Sequence, residues 1–257
     1  MTAMKVGVIG SKGRMGVEVC NAVRAADDLE LVAAVDAGDD FGPLLDADVV
    51  VEFTVPDASM GNIAWCIDHG LDVVVGTTGF DDAKLDQVRA WLDGTSSRVL
   101  IASNYSIGAI LMMEFARQAA PHFESVEIIE LHHPHKVDAP SGTAATTARK
   151  IATARAASGL GQVPDATTHD PHGARGADID GIRVHSVRQR GLFANQQVLF
   201  GNPGEALTIT CNSFDRASYM PGVLTAVRAI KGLSGLTWAS RACSVSARRG
   251  RASRCAA

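Results

Sequence analysis

The stretch Glu130-Leu131-His132-His133-Pro134-His135-Lys136-Val137-Asp138-Ala139-Pro140-Ser141-Gly142-Thr143 gathers three imidazoles, one amine and a turn within fourteen residues. Imidazoles change charge near neutral pH, so His132 and His133, with Lys136, bring proton donors together. Ala144, Ala145, Ala148, Ile151 and Ala152 then recur at helical spacing, which starts a helix close to Ser141. The first N–H groups of a helix have no intrahelical partner and carry the positive end of its dipole, so Ser141, Gly142 and Thr143 suit a carboxylate or phosphate. The combination fits an anionic substrate that receives a proton. His135 reads as a structural hydrogen-bonding histidine.

A second cluster lies near the start. Lys5-Val6-Gly7-Val8-Ile9 is a short apolar run, followed by Gly10-Ser11-Lys12-Gly13-Arg14-Met15-Gly16 and a helical pattern of Val17, Val19, Cys20 and Val23. Strand, glycine-rich turn and helix N-terminus together cradle a pyrophosphate, although the spacing is G-x-x-G-x-x-G rather than G-x-G-x-x-G. The next apolar strand, Leu31 to Val35, ends in Asp36, where an acid would accept hydrogen bonds from ribose hydroxyls. Asp36 favours the unphosphorylated cofactor, whereas Lys12 and Arg14 could neutralise a 2′-phosphate. The loop therefore fits both NADH and NADPH.

These clusters need elements to hold them. Strand patterns at Asp48 to Phe53, Asp72 to Val75 and Arg98 to Ala102 alternate with helical ones at Asp57 to His69 and Ala83 to Leu92. This is the signature of a parallel, doubly wound sheet, in which ligands meet the loops after the strands. Gly76, Thr77 and Thr78 follow one strand, and Ala102, Ser103, Asn104 and Tyr105 the next; both loops would hold the nicotinamide half.

Ser106 to Ala120 predicts a long helix packed through Ile107, Ile110, Leu111, Met113 and Phe115, and Val126 to Leu131 a strand that delivers the histidines. The Gly-, Pro- and Asp-rich stretch from Leu160 to Gly181 looks like a mobile loop or lid. Three further strands, Ile182 to Arg188, Gln196 to Phe200 and Ala206 to Asn212, predict a mostly antiparallel second sheet, open to pairing with another subunit. A helix over Tyr219 to Ile230 returns to the first domain. The expected fold is α/β: a Rossmann-like parallel-sheet domain over 1–105 and 216–257, and an α+β substrate-binding and oligomerisation domain over 106–215. Beyond Gly232 the pattern is lost, and Arg248-Arg249-Gly250-Arg251 reads as part of a frayed basic tail.

With 257 residues, 46% of them hydrophobic and 20% charged, the chain has material for one large or two modest cores. The last 25 residues hold five arginines and no acid, so the remainder carries −9 where the whole chain carries −4. An acidic body argues against nucleic-acid binding. No run of eighteen apolar residues suggests a membrane span, and the start enters a strand pattern at once, so the expected location is cytoplasmic. The five cysteines, Cys20, Cys66, Cys211, Cys243 and Cys255, form no C-x-x-C pair and read as small apolar residues rather than disulfide or zinc ligands.

At Glu130 to Thr143, with Gly10 to Gly16, Gly76 to Gly79 and Tyr219 to Ile230 in the same order, the chain resembles the bacterial 4-hydroxy-tetrahydrodipicolinate reductase family of lysine biosynthesis. The resemblance runs from about Lys5 to about Gly235, and the His-His-Pro-His-Lys-x-Asp-Ala-Pro-Ser-Gly-Thr block carries its specificity. It implies a homotetramer that moves a hydride from NADH or NADPH to a cyclic imine dicarboxylate in the diaminopimelate route, with water lost. By the same resemblance His132 is the general acid/base, Lys136 donates a proton or binds the ring side, His133 touches substrate, and Ser141, Gly142 and Thr143 hold a carboxylate. Gly10, Ser11, Lys12, Gly13, Arg14, Met15, Asp36, Gly76, Thr77, Thr78, Ala102, Ser103, Asn104 and Tyr105 match its cofactor positions, and no metal is implied. Family members end soon after the Gly235-Leu236 region, whereas this chain continues in Ser, Arg, Ala and Cys.

Two other readings differ in what they require. A non-catalytic, redox-sensing dinucleotide module needs the glycine loop and Asp36 but not His132 with Lys136. A metal-dependent hydrolase built on His132, His133 and His135 lacks a carboxylate at ligand spacing and leaves the first half without a task.

Overall fold

A computed structural model describes residues 2–238. The described chain divides into two compact units, one running from the N-terminus to Ser106 and rejoined from Tyr219, the other Ile107–Ser218.

The first unit contains β1 (Met4–Ile9), α1 (Arg14–Arg24), β2 (Leu29–Val35), β3 (Val49–Glu52), α2 (Pro56–Asp68), β4 (Asp72–Val75), α3 (Asp82–Leu92) and β5 (Val99–Ile101). The second contains α4 (Ile107–Ala119), β6 (Ser125–His132), α5 (Gly142–Ala157), β7 (Ala177–Ile179), β8 (Ile182–Arg188), β9 (Ala194–Asn202) and β10 (Glu205–Ser213). Then α6 (Met220–Ala229) and β11 (Leu236–Trp238) complete the first unit.

In the first unit the sheet order is β11-β5-β4-β3-β1-β2, with every pairing parallel. Successive side chains of a strand point to opposite faces, so near-continuous valine runs bury both. Val6, Val8, Val51 and Val74 meet Val19, Val23, Val223 and Val227 from α1 and α6. Ile9, Val50, Val73 and Val75 meet Ile63, Ile67, Leu85 and Val88 from α2 and α3. Because all strands run the same way, the loops after β1, β2, β4 and β5 emerge at one edge of the sheet.

The pattern does not end at Gly232 as expected, because Leu236–Trp238 adds a parallel edge strand beside β5. Three residues are too few to show a period, and Trp238 finds an aromatic neighbour in Phe80, 6.4 Å between ring centres. The arginine cluster of the expected tail lies outside the described residues.

The second unit's sheet runs β10-β9-β6-β8-β7, parallel between β6 and β8 and antiparallel in its other pairings. Val126, Ile128, Val184, Val198 and Phe200 pack with Ala144, Ala148 and Ile151 of α5. Two expectations change. The stretch read as a loop to Gly181 already forms β7 at Ala177–Ile179, and its loop is tied to β6 by Arg175 pairing with Glu127. On α4, the expected packing residues Ile107, Leu111 and Phe115 are 42%, 45% and 51% exposed, while Ala109, Met112 and Ala116 are buried. Met113 packs against the core as expected, but the small Ala109 and Ala116 let α4 approach its neighbours closely, and Ile107, Leu111 and Phe115 are left on the outer face.

Candidate active site

At the carboxyl end of β1 the chain turns through Gly10, whose φ of 84° and nearness to the Phe53 carbonyl admit no side chain. Gly16 lies equally close to the Gly10 carbonyl, so the start of α1 is drawn tightly onto the turn. The amides of Gly10 and Ser11 donate to the Val35 carbonyl at 2.9 and 3.0 Å, and that of Gly13 to the Gly10 carbonyl at 3.0 Å. Gly13 is the N-cap of α1 with no side-chain cap, so the first-turn amides of Arg14, Met15 and Gly16 are the ones left for an anion. The residues present fit a dinucleotide's pyrophosphate on this ground.

Asp36 closes the neighbouring turn. Its Oδ2 accepts from the Lys12 amide at 2.7 Å and its Oδ1 from the Ala37 amide at 2.8 Å. A carboxylate has about four acceptor positions, so it retains capacity for ribose hydroxyls. Lys12 Nζ is 3.2 Å from Asp39 Oδ2, a pair with side chains 71% and 41% exposed. Such a solvated pair holds the ammonium only weakly. The Lys12 hydrogen bond and, before it, the Asp36 amide keep the Asp39 carboxyl below its usual range.

The other two loops are more inward-looking than their residue types suggest. Thr77 is buried, and its hydroxyl accepts from the Thr54 amide at 2.8 Å, joining the turns after β3 and β4. Tyr105 is buried with its hydroxyl donating to the Val75 carbonyl at 2.7 Å, and burial above all pushes its phenol up. Asn104 Oδ1 accepts from the Ser106 amide at 2.8 Å. Gly76, Thr78 and Ser103 share the sheet edge with these turns. The Tyr105 O–H is thus spent within the fold, whereas the Thr77 hydroxyl, which accepts, keeps its own proton to donate.

In the second unit β6 carries His132 to its end and α5 begins ten residues later. His132 Nδ1 lies 2.5 Å from Glu130 Oε2, while its Nε2 has no partner among the described residues. Burial lowers the imidazole's pKa below its ordinary value; Glu130 opposes this, and Lys136 and Arg188 add to it. Lys136 Nζ donates to Asp138 Oδ1 at 2.6 Å, the main cause that holds the Asp138 carboxyl below its usual range. Ser141 is the N-cap of α5: its hydroxyl accepts from the Ala144 amide at 3.1 Å, and its own amide donates to Glu130 Oε1 at 3.2 Å. The backbone of Gly142 and Thr143 forms the first turn of that helix. His133 Nδ1 is buried with no hydrogen-bond partner, its ring 6.2 Å from that of His135 and 6.4 Å from that of Phe193. Among the described residues, His, Cys, Asp and Glu nowhere gather as a group that could hold a metal.

The structure thus brings His132, His133, Lys136, Ser141, Gly142 and Thr143 into one short arc of the second unit. Gly10 to Met15, Asp36, Gly76 to Thr78 and Ala102 to Tyr105 gather at one sheet edge of the first. Sequence reasoning missed Glu130 as a participant and Arg188 altogether. Glu130 is fully buried and takes a two-pronged contact from Arg188, Nη1 to Oε2 at 2.9 Å and Nη2 to Oε1 at 2.7 Å. The signal for Glu130 was an acid in the inward series Val126, Ile128, Glu130, two residues before His132. Arg188, 58 residues away, offered none.

The family model described as dihydrodipicolinate reductase, N-terminus, matches residues 4–105, and the one described as dihydrodipicolinate reductase, C-terminus, matches residues 108–238. The 4-hydroxy-tetrahydrodipicolinate reductase of Cutibacterium acnes is 59% identical over 235 residues, 91% of this chain and 96% of its own length. That of Thermobifida fusca is 60% identical over 231 residues, 90% of this chain and 94% of its own length. Among solved structures, the dipicolinate-bound dihydrodipicolinate reductase from Paenisporosarcina sp. TG-14 matches with a TM-score of 0.81 and 33% identity, over 92% of this chain and 98% of that one.

Proposed function

The chain belongs to the dihydrodipicolinate reductase family, and we propose that it reduces 4-hydroxy-tetrahydrodipicolinate to tetrahydrodipicolinate with NADH or NADPH, in the route to diaminopimelate and lysine. Water is lost as one hydride and one proton are added. The reduced nicotinamide supplies the hydride when bound. The observation that carries the reading is that the same chain holds an uncapped α1 N-terminus beside Asp36 and a partly buried His132 whose Nε2 is unclaimed among the described residues.

The chain's own residues divide the remaining work. The first unit is the dinucleotide-binding domain: the α1 amides and the Gly10 to Met15 turn hold phosphates, Asp36 takes ribose hydroxyls, and the backbone of Gly76 to Thr78 and Ala102 to Tyr105 holds the nicotinamide half. Both cofactors are accommodated, because the Lys12 ammonium can exchange the exposed Asp39 carboxylate for a 2′-phosphate.

The second unit is the substrate and tetramerisation domain. Hydride addition leaves negative charge on the conjugated imine, and proton donation from His132 or Lys136 neutralises it as it forms. Gly142, Thr143 and the Ser141 hydroxyl hold a carboxylate of the cyclic dicarboxylate, and the half-buried His133 touches the substrate from the same stretch. The planar dicarboxylate bound by the Paenisporosarcina relative has the matching chemistry. The long β10 edge and the exposed Ile107, Leu111 and Phe115 on α4 support pairing with other copies in a homotetramer. No helix among the described residues is long and apolar enough to cross a membrane. A cytoplasmic site of action agrees with the substrate's place in amino-acid synthesis.

The test is to generate the cyclic imine in situ with the purified chain and follow nicotinamide absorbance near 340 nm, roughly the band of any reduced nicotinamide. Loss of absorbance that depends on the imine is expected with both cofactors. Absence of oxidation with either would overturn the reading.

A further inference from the structure

We infer that Glu130 and Arg188 are positioning residues for His132: Glu130 fixes the imidazole with its proton on Nδ1 and its Nε2 toward the substrate, and Arg188 holds Glu130 in place as a carboxylate. This rests on the reading of His132 as the proton donor. Packing alone gives no reason for an acid here. Val126, Ile128 and Glu130 are buried in one inward series, where an apolar side chain would continue the core at no electrostatic cost. A buried ion pair is rarely the more stable choice over well-packed apolar residues, so its presence points to a task.

The hydrogen bonds define that task. Glu130 Oε2 meets His132 Nδ1 at 2.5 Å and Arg188 Nη1 at 2.9 Å. Its Oε1 meets Arg188 Nη2 at 2.7 Å and the Ser141 amide at 3.2 Å. Burial acts to raise the Glu130 carboxyl, but the donors, Arg188 first, outweigh it and leave it below its usual range. An ionised carboxylate only accepts, so Nδ1 must be the donor. In the neutral ring Nε2 is then an acceptor, and in the imidazolium it is the N–H that gives its proton to the substrate and later regains one from solvent. Arg188 Nη2 also donates to the Asp138 carbonyl at 2.7 Å, so the same guanidinium steadies the loop that carries Lys136. Backbone register places Arg188 beside His132, and the His132 carbonyl accepts from the Gln189 amide at 2.9 Å.

The charges facing His132 are Glu130 on β6, Arg188 on β8 and Lys136 on the following loop; β9 presents Ala194 opposite it, flanked by the neutral Asn195. Burial and two cations therefore oppose the imidazolium, and Glu130 alone favours it. Removing that one negative charge should make the proton harder to load.

The test uses the full-length chain with ¹⁵N-labelled histidine. Wild type should show His132 protonated on Nδ1 in its neutral form, with Glu130→Gln moving its titration to lower pH by about one pH unit. The pH dependence of kcat should move with it, kcat at pH 7 should fall about ten- to a hundredfold, and the Kd for NADH should stay unchanged. A purely structural role predicts lost stability without movement of either titration. Arg188→Lys, which keeps the charge but not the fork, should give a smaller shift in the same direction and serves if Glu130→Gln does not fold. Neutral His132 protonated on Nε2 in the wild type, or unmoved titrations in a folded variant, overturns the inference. Full turnover in His132→Ala would instead overturn the assignment of His132 as the acid, while the tautomer measurement would still decide the role of Glu130.

Discussion

The N-termini of α1 and α5 both suit an anion, yet they are finished in opposite ways. At α1, Gly13 caps with bare backbone, and the surrounding hydrogen bonds close the turn without covering the first-turn amides. At α5, the Ser141 hydroxyl caps the Ala144 amide, the Ser141 amide is taken by Glu130, and the same carboxylate meets His132 and Arg188. On the proposed reading, one end is an open socket for phosphate, where strength comes from several equivalent donors. The other is a side-chain network that, on the same reading, fixes the binding of a carboxylate and the aiming of a proton together. A phosphate needs only charge and N–H groups, whereas a proton must leave from a particular atom.

This contrast can be broken from either side. The largest effect is expected from His132→Ala, which should lower kcat by about two to four orders of magnitude in steady-state kinetics while dinucleotide affinity stays near wild type. Equal loss of cofactor binding would mean that the two regions do not divide the work. Gly13→Asp should do the reverse. A carboxylate at the N-cap occupies the first-turn amides and repels phosphate, so fluorescence titration should show dinucleotide binding weakened about tenfold. Binding of dipicolinate should be untouched, and the melting temperature should hold, since the added cap offsets the slight crowding of a Cβ 3.1 Å from the Gly10 oxygen. The smallest effect belongs to Ser141→Ala, which removes the α5 cap and should cost about 1 kcal/mol in denaturant unfolding, with a raised KM for the imine and an unchanged KM for the cofactor.

The open socket was far more legible in the sequence than the network. Gly10, Gly13, Gly16 and Asp36 lie at two consecutive strand ends, so local spacing is enough to group them. His132, Lys136 and Ser141 were likewise grouped by spacing, because one short stretch from the end of β6 to the start of α5 carries them all. Arg188 reaches Glu130 only through the parallel pairing of β6 with β8, and no pattern along the chain records which strands become neighbours. The face of α4 was misread for a related reason. Of the large apolar residues that periodicity picks out, Met113 does pack on the core, but Ile107, Leu111 and Phe115 stay exposed while Ala109, Met112 and Ala116 are buried. Nor does spacing show that the Thr77 hydroxyl accepts from the Thr54 amide or that the Tyr105 hydroxyl donates to the Val75 carbonyl, since both partners lie on other turns or strands. Strands as short as β7 and β11 hold too few residues to show alternation.

The most direct test of the division between hydride and proton is isotopic. Supplied with NADH deuterated at the transferred position and the imine formed in situ, the chain should yield tetrahydrodipicolinate carrying that deuterium, and His132→Ala should yield almost none in the same time. Product without deuterium, or deuterium transfer that persists undiminished in His132→Ala, would contradict the account.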